Sequence, residues 1–173
     1  MKRYLWITLL LLIIPIALNN STNNISEALY AFLRKLEENN KVKLIAYKDS
    51  GGVWTIGYGS IYNYDLKRKV LPGDVITLEQ ANRFLKIEAD SKLADINKWV
   101  KVPLTNNQKI ALGSLVYNIG APAFKISTLL KVINAKGTKE AITKEFMRWV
   151  YDNGVFVKGL ENRRKVELAL YFK

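Results

Sequence analysis

Tyr47-Lys48-Asp49-Ser50-Gly51-Gly52-Val53-Trp54-Thr55-Ile56-Gly57-Tyr58-Gly59 is the stretch on which the reading of this sequence turns. Residues of β type flank a Gly-Gly pair, which predicts strands over 42–47 and 53–58 around a Gly51-Gly52 turn. Folded this way, the hairpin brings the carboxylate of Asp49 near the hydroxyl of Thr55. Such a pair can hold and activate a water molecule. An Asp before a turn also serves simply as a turn residue, so the neighbouring sequence must decide what that water would attack.

Upstream, Leu29, Phe32, Leu33 and Leu36 recur at helical spacing and predict a helix over 25–38 with one apolar face. Asn39-Asn40 would end it, because Asn tolerates the left-handed conformation that stops a helix. Glu37 and Glu38 therefore run directly into the hairpin. A carboxylic acid on one side of a cleft and a carboxylate on the other is the equipment of glycoside hydrolysis. Taken on spacing alone, both glutamates equally suit an ordinary solvated helix end.

Downstream, a third short strand is expected near Lys69–Leu71, ending at Pro72-Gly73. Thr77-Leu78-Glu79-Gln80 is a capping box that opens a long helix to about Val100, striped by Leu85, Ala89, Leu93, Ile96 and Val100. Thr105-Asn106-Asn107-Gln108 opens a second helix through about Asn118. Gly120-Ala121-Pro122 reads as a turn, and helices follow over about 128–134, 139–150 and 161–170. The expected class is α+β, with a small helix-plus-hairpin lobe (25–76), a connecting helix (77–100) and a helical lobe (101–173).

Composition limits the chemistry. Among 173 residues there is no Cys and no His, which removes disulfides, thiolate metal sites and the commonest general base. Catalysis falls to carboxylates, Lys, Tyr or hydroxyls, and neither metal nor cofactor is expected. The first 20 residues stand apart. Lys2 and Arg3 precede a largely apolar run from Tyr4 to Leu18, followed by the polar linker Asn19 to Asn24. A basic start with about 7–15 apolar residues has the form of a secretory signal, and the run is short against the roughly 20 residues of a membrane span. Cleaved signal and uncleaved anchor in the inner membrane both stay open. Each exports the body, residues 21–173, to the periplasm or cell wall. The formal charge of +12 calls for a polyanion; export argues against nucleic acid and for wall polymers or anionic lipid.

The segment Ala46 to Gly59 closely resembles the phage-type lysozymes, the endolysin glycoside hydrolases. Later segments agree in order: Leu104-Thr-Asn-Asn-Gln108, Val116-Tyr-Asn-Ile-Gly120, Ser127-Thr-Leu-Leu130 and Gly159-Leu-Glu-Asn-Arg-Arg164. The resemblance covers about residues 25–173. It implies a lysozyme-like fold, peptidoglycan as substrate, cleavage of the bond between N-acetylmuramic acid and N-acetylglucosamine, and a monomer. It also implies a general-acid Glu at the end of the first helix, with an Asp and a Thr on the hairpin holding the attacking water. Asp49 and Thr55 keep the family's six-residue step. The family's usual Glu position relative to that Asp is Asn40 here, so a longer helix-to-strand loop is implied, with Glu37 or Glu38 as the acid.

Helical phase favours Glu37. The family's acid follows apolar residues four and five positions earlier, which are Leu33 and Phe32 from Glu37 but Arg34 and Leu33 from Glu38. The resemblance further implies Arg163 as the support of the acid, and Tyr117, Asn118, Ser127 and Thr128 as cleft residues. Trp54, Trp99 and Trp149 read as core rather than sugar platforms. Ser60 stands where the family usually has a structural His. Asn40 leaves a rival reading, a catalytically inactive wall-binding module on the same fold. Some endolysins resembling this one are held at the membrane by a releasable N-terminal anchor. Those anchors are rich in Gly and Ala, whereas this segment is rich in Leu and Ile.

Overall fold

The computed structural model describes residues 24–37, 42–49 and 51–173. The N-terminal segment, Glu38 and Asn40 lie outside the described residues. Helix α1 covers 24–37 and buries the expected face: Ile25, Leu29 and Leu33 are in the core, with Phe32 packed beside them. Strands β1 (Lys43–Lys48) and β2 (Trp54–Gly57) form the expected antiparallel hairpin, with Tyr47 opposite Thr55 and Lys48 opposite Trp54. The turn is held by Asp49 itself, whose Oδ1 accepts from the Gly51 and Val53 amides at 2.9 and 2.8 Å. Gly52 at φ +77° supplies the left-handed residue the turn needs.

Helix α2 (Leu78–Trp99) ties the molecule together. Its first turns bury Ala81 and Phe84 against Ile56, Val70 and Ile76 under the hairpin. Its middle buries Leu85 and Ala89 against α1, and its end buries Ile96 and Val100 in the helical lobe. One stripe thus serves three apolar clusters in succession. Helix α3 (Asn106–Ile119) is buried on every side from Ile110 to Val116, which makes it the axis of the helical lobe. Gly113 lets α1 approach it: a Cβ there would lie 2.6 Å from Leu29 Cδ2. Both expected capping boxes are present, at Thr77–Gln80 and Thr105–Gln108.

The architecture agrees with the α+β reading, and the short elements correct it in detail. The third strand is half of a second hairpin, β3 (Tyr62–Asn63) with β4 (Arg68–Lys69). Gly120-Ala121-Pro122 is not a bare turn. It opens α4 (Ala121–Ile126), where Pro occupies a first-turn position that needs no N–H. Helix α5 (Thr128–Asn134) follows as expected. Helix α6 (Lys139–Phe146) stops short of Val150, and the chain enters a third hairpin, β5 (Tyr151–Asp152) with β6 (Val155–Phe156). Helix α7 (Lys158–Tyr171) then starts a turn earlier than expected and packs on α3 and α6. Among the described residues no helix is long and apolar enough to cross a membrane.

Candidate active site

A cleft of about 760 Å³ opens where the end of α1, the first hairpin, α3 and the start of α7 meet. Leu36 and Glu37 line it from α1, Lys43 and Tyr47 from β1, Tyr58 and Gly59 from just beyond β2, Tyr117 and Asn118 from α3, and Asn162 and Arg163 from α7. Glu37 reaches this cleft because Leu29 and Leu33 hold α1 in the core while Leu36 and Glu37 turn outward from it.

Glu37 Oε1 lies 2.5 Å from Arg163 Nη1 across a separation of 126 residues. Their side chains are 12% and 11% exposed, shielded from solvent but facing the cleft. Arg163 is in turn held from behind. Its Nε donates to Glu167 Oε1 at 3.2 Å, and its Nη2 lies 3.2 Å from Ser114 Oγ. Arg164 is fully buried and pairs with Glu167 at 2.7 Å. Burial, reinforced by the neighbouring Arg163, lowers the Arg164 pKa against the pull of Glu167. Burial raises that of Glu167, opposed by both arginines and by Ser114.

Asp49 and Thr55 flank this cleft rather than line it. Thr55 is opposite Tyr47 in the hairpin register, so their side chains share one sheet face. Thr55 is nonetheless buried, and its Oγ1 donates to the Val53 carbonyl at 3.0 Å. Asp49 uses Oδ1 for the turn, while Oδ2 takes no part in those two amide bonds. Tyr47 connects the two halves of the site. Its phenol pKa is raised by burial and then by the charges of Asp49 and Glu37. Sequence reasoning missed Tyr47, although its alternation with Asp49 along the strand was a usable signal.

The remaining expected residues separate. Tyr117 lines the cleft and also packs in the α1–α2–α3 core, its hydroxyl donating to the Tyr58 carbonyl at 2.9 Å. Burial, with Glu88 and Glu37 nearby, raises its pKa well above the usual tyrosine value. Asn118 borders both this cleft and an adjoining pocket of about 440 Å³ that Trp149 and Tyr151 line. Ser127 and Thr128 stand apart, on a third pocket with Glu145 and Arg148. Ser127 caps α5 there, accepting from the Leu130 amide at 3.1 Å. Trp54 and Trp99 are half-buried and pack on core clusters. Ser60 is buried, with its Oγ 2.6 Å from Glu88 Oε1 and 2.8 Å from the Tyr62 carbonyl. Among the described residues, no group of three carboxylates could hold a metal ion.

Residues 37–167 match the family model for phage lysozyme. The chain belongs to the phage lysozyme family. This lysozyme is 42% identical over 134 residues to an endolysin of Acyrthosiphon pisum secondary endosymbiont phage 1, covering 75% of this chain and 87% of that protein. It is 34% identical to the SAR-endolysin of Enterobacteria phage P21, covering 73% of each. Among solved structures it resembles the endolysin from Escherichia coli O157:H7 phage FAHEc1 at a TM-score of 0.70 and 36% identity, over 84% of this chain and 90% of that one. The enzyme is a lysozyme, a hydrolase whose substrate is peptidoglycan.

Proposed function

We propose that this lysozyme hydrolyses the β-1,4 bond between N-acetylmuramic acid and N-acetylglucosamine by single displacement with inversion. Glu37 gives its proton to the leaving glycosidic oxygen. Asp49 and Thr55 orient a water on the opposite face of the sugar. As that water adds to the anomeric carbon, Asp49 takes its proton and the bond to the leaving sugar breaks. A carboxyl separation of roughly 6.5–9.5 Å leaves room for that water, against about 5–5.5 Å for a retaining enzyme. The observation that carries this reading is Glu37, held by Arg163 in the cleft that Tyr47 also lines. Tyr47 stands opposite Thr55 on the hairpin whose turn Asp49 closes.

Arg163 supports the reading as the orienting group of Glu37, and Tyr117 and Asn118 supply an aromatic wall and an amide for the glycan. Ser127 and Thr128 fit a more distant part of the same polymer, on the pocket beside Trp149. The protein acts as a monomer outside the inner membrane. Residues 1–20 bring it there, either removed as a signal or kept as an anchor. Resemblance to SAR-endolysins supports that export. A mature N-terminus near residue 20, found by mass spectrometry of exported protein, eliminates tethering; an intact one eliminates cleavage. Stereochemistry tests the chemistry. Proton NMR during digestion of soluble peptidoglycan fragments should show the new reducing end appear as the α-anomer. First appearance of the β-anomer would mean a covalent intermediate and reject the water role of Asp49.

A further inference from the structure

Glu167 is fully buried one turn beyond Arg163, and the proposed reaction gives it nothing to do. It nevertheless takes a hydrogen bond from each of three groups: Arg163 Nε at 3.2 Å, Arg164 Nη2 at 2.9 Å and Ser114 Oγ at 2.6 Å. Arg163 is thereby shared. One edge of its guanidinium faces Glu37, another faces Glu167, and Nη2 reaches Ser114.

An arginine beside a single carboxylate favours the anion. A general acid has to carry a proton when substrate binds. An acid paired with Arg163 alone would be orientated and disarmed together. We propose that Glu167 is a positioning residue that shares the Arg163 guanidinium with Glu37. It fixes the pose of Arg163 and offsets its charge, so that Glu37 can hold the proton it donates. This rests on the reading of Glu37 as the acid.

With the proton on Glu37, Glu167 is the carboxylate that opposes the guanidiniums of Arg163 and Arg164. Among the described residues, titratable groups that face Glu37 besides Arg163 include Tyr47 from β1 and Tyr117 from α3, with Lys43 over the Tyr47 ring. Ser114 from α3 and the Trp149 carbonyl complete the surroundings of Glu167 and Arg164. Ser114 and the Trp149 carbonyl are neutral, so losing a bond to Glu167 or Arg164 brings no new charge to Glu37. Removing Glu167 leaves two guanidiniums bearing on Glu37. Removing Arg164 leaves Glu167 to act on Arg163 alone. The two replacements must therefore push Glu37 in opposite directions, which a loss of packing cannot do.

The test is the pH–rate profile for lysis of purified cell walls by the full-length chain, with folding followed by circular dichroism at each pH. Glu167→Gln should move the high-pH limb down by about one unit, roughly a tenfold loss of rate above it. Arg164→Gln should move the same limb up, and the double variant should return near the wild-type position. Should Glu167→Gln not fold, Glu167→Asp must keep the wild-type limb while Arg164→Gln raises it. Limbs within about 0.3 unit of wild type, or moving the same way in both variants, overturn the proposal. Glu37→Gln serves as the control. If it still lyses walls, the acid assignment falls and takes the proposal with it. If it is inactive and the limbs stay still, only the role of Glu167 falls.

Discussion

The placement of Glu37 depends on how closely α1 packs against α3, and that contact can be weighed by a double-mutant cycle at Leu29 and Gly113. A Cβ added to Gly113 would lie 2.6 Å from Leu29 Cδ2 and 3.0 Å from Cδ1. Leu29 is fully buried, so its methyls have no open space to retreat into. Gly113→Ala should gain about 1 kcal/mol of helix propensity and lose about 1–3 kcal/mol to overpacking, a net cost of about 1 kcal/mol. Leu29→Ala should cost about 3 kcal/mol through lost burial and the cavity it leaves. In the double variant the new methyl occupies part of that cavity, and the clash is gone. It should therefore be about 1–2 kcal/mol more stable than the sum of the single changes. At this chain length 1 kcal/mol is worth about 2–4 °C in Tm, so thermal melts by circular dichroism resolve the difference, and urea unfolding checks it. Additivity within about 0.5 kcal/mol would refute a contact between these two positions. Wall lysis measured below the melting range should fall in Gly113→Ala and recover in the double variant, because both changes act on the helix that carries Glu37.

Glu88 is a partly buried carboxyl whose pKa is raised by burial, against the hydrogen bonds of Ser60 and Tyr64 and the charge of Lys92. A raised folded-state value means the stability it contributes is complete below the unfolded pKa near 4.5. That contribution is lost as pH rises through the folded value. Glu88→Gln should therefore gain Tm relative to wild type as pH goes from about 4 to 7; a wild-type and variant difference that is flat with pH contradicts this. Thr105 caps α3 through a full capping box, so Thr105→Ala should lower stability by about 1 kcal/mol in urea unfolding, with lysis at low temperature unchanged.

The parts of the fold legible in the sequence are those specified locally and repeatedly. The Gly51-Gly52 hairpin, both capping boxes and the α1 stripe each rest on residues close in the chain, and each appears within a residue or two of its expected bounds. The misses are short elements set by tertiary packing. Helix α4 has six residues, too few to display a period, and Pro122 near its start looks like a turn. The β5–β6 hairpin did carry a signal: Asn153-Gly154, both at positive φ, between Tyr151-Asp152 and Val155-Phe156. It lies in the connection left between the helices expected over 139–150 and 161–170.

The site divides in the same way. Asp49 and Thr55 belong to one hairpin, so local pattern reaches them. Glu37 and Arg163 meet across 126 residues, and no periodicity relates them. Family resemblance was the only route to that pairing. Glu167 was within reach, since it follows Arg163 and Arg164 at the i+4 and i+3 spacings of helical ion pairs. What the chain could not disclose is that this ladder is buried, where an ion pair stops being surface decoration and acts on its neighbours.

The proposed chemistry stands on Glu37 as the proton donor of the cleft. Lysis of purified cell walls by wild type, Glu37→Gln and Glu38→Gln under identical conditions tests this. Glu37→Gln should lose at least about a hundredfold in rate, as removing a general acid entails, with Glu38→Gln near wild type. Full activity in Glu37→Gln, or loss confined to Glu38→Gln, would contradict it.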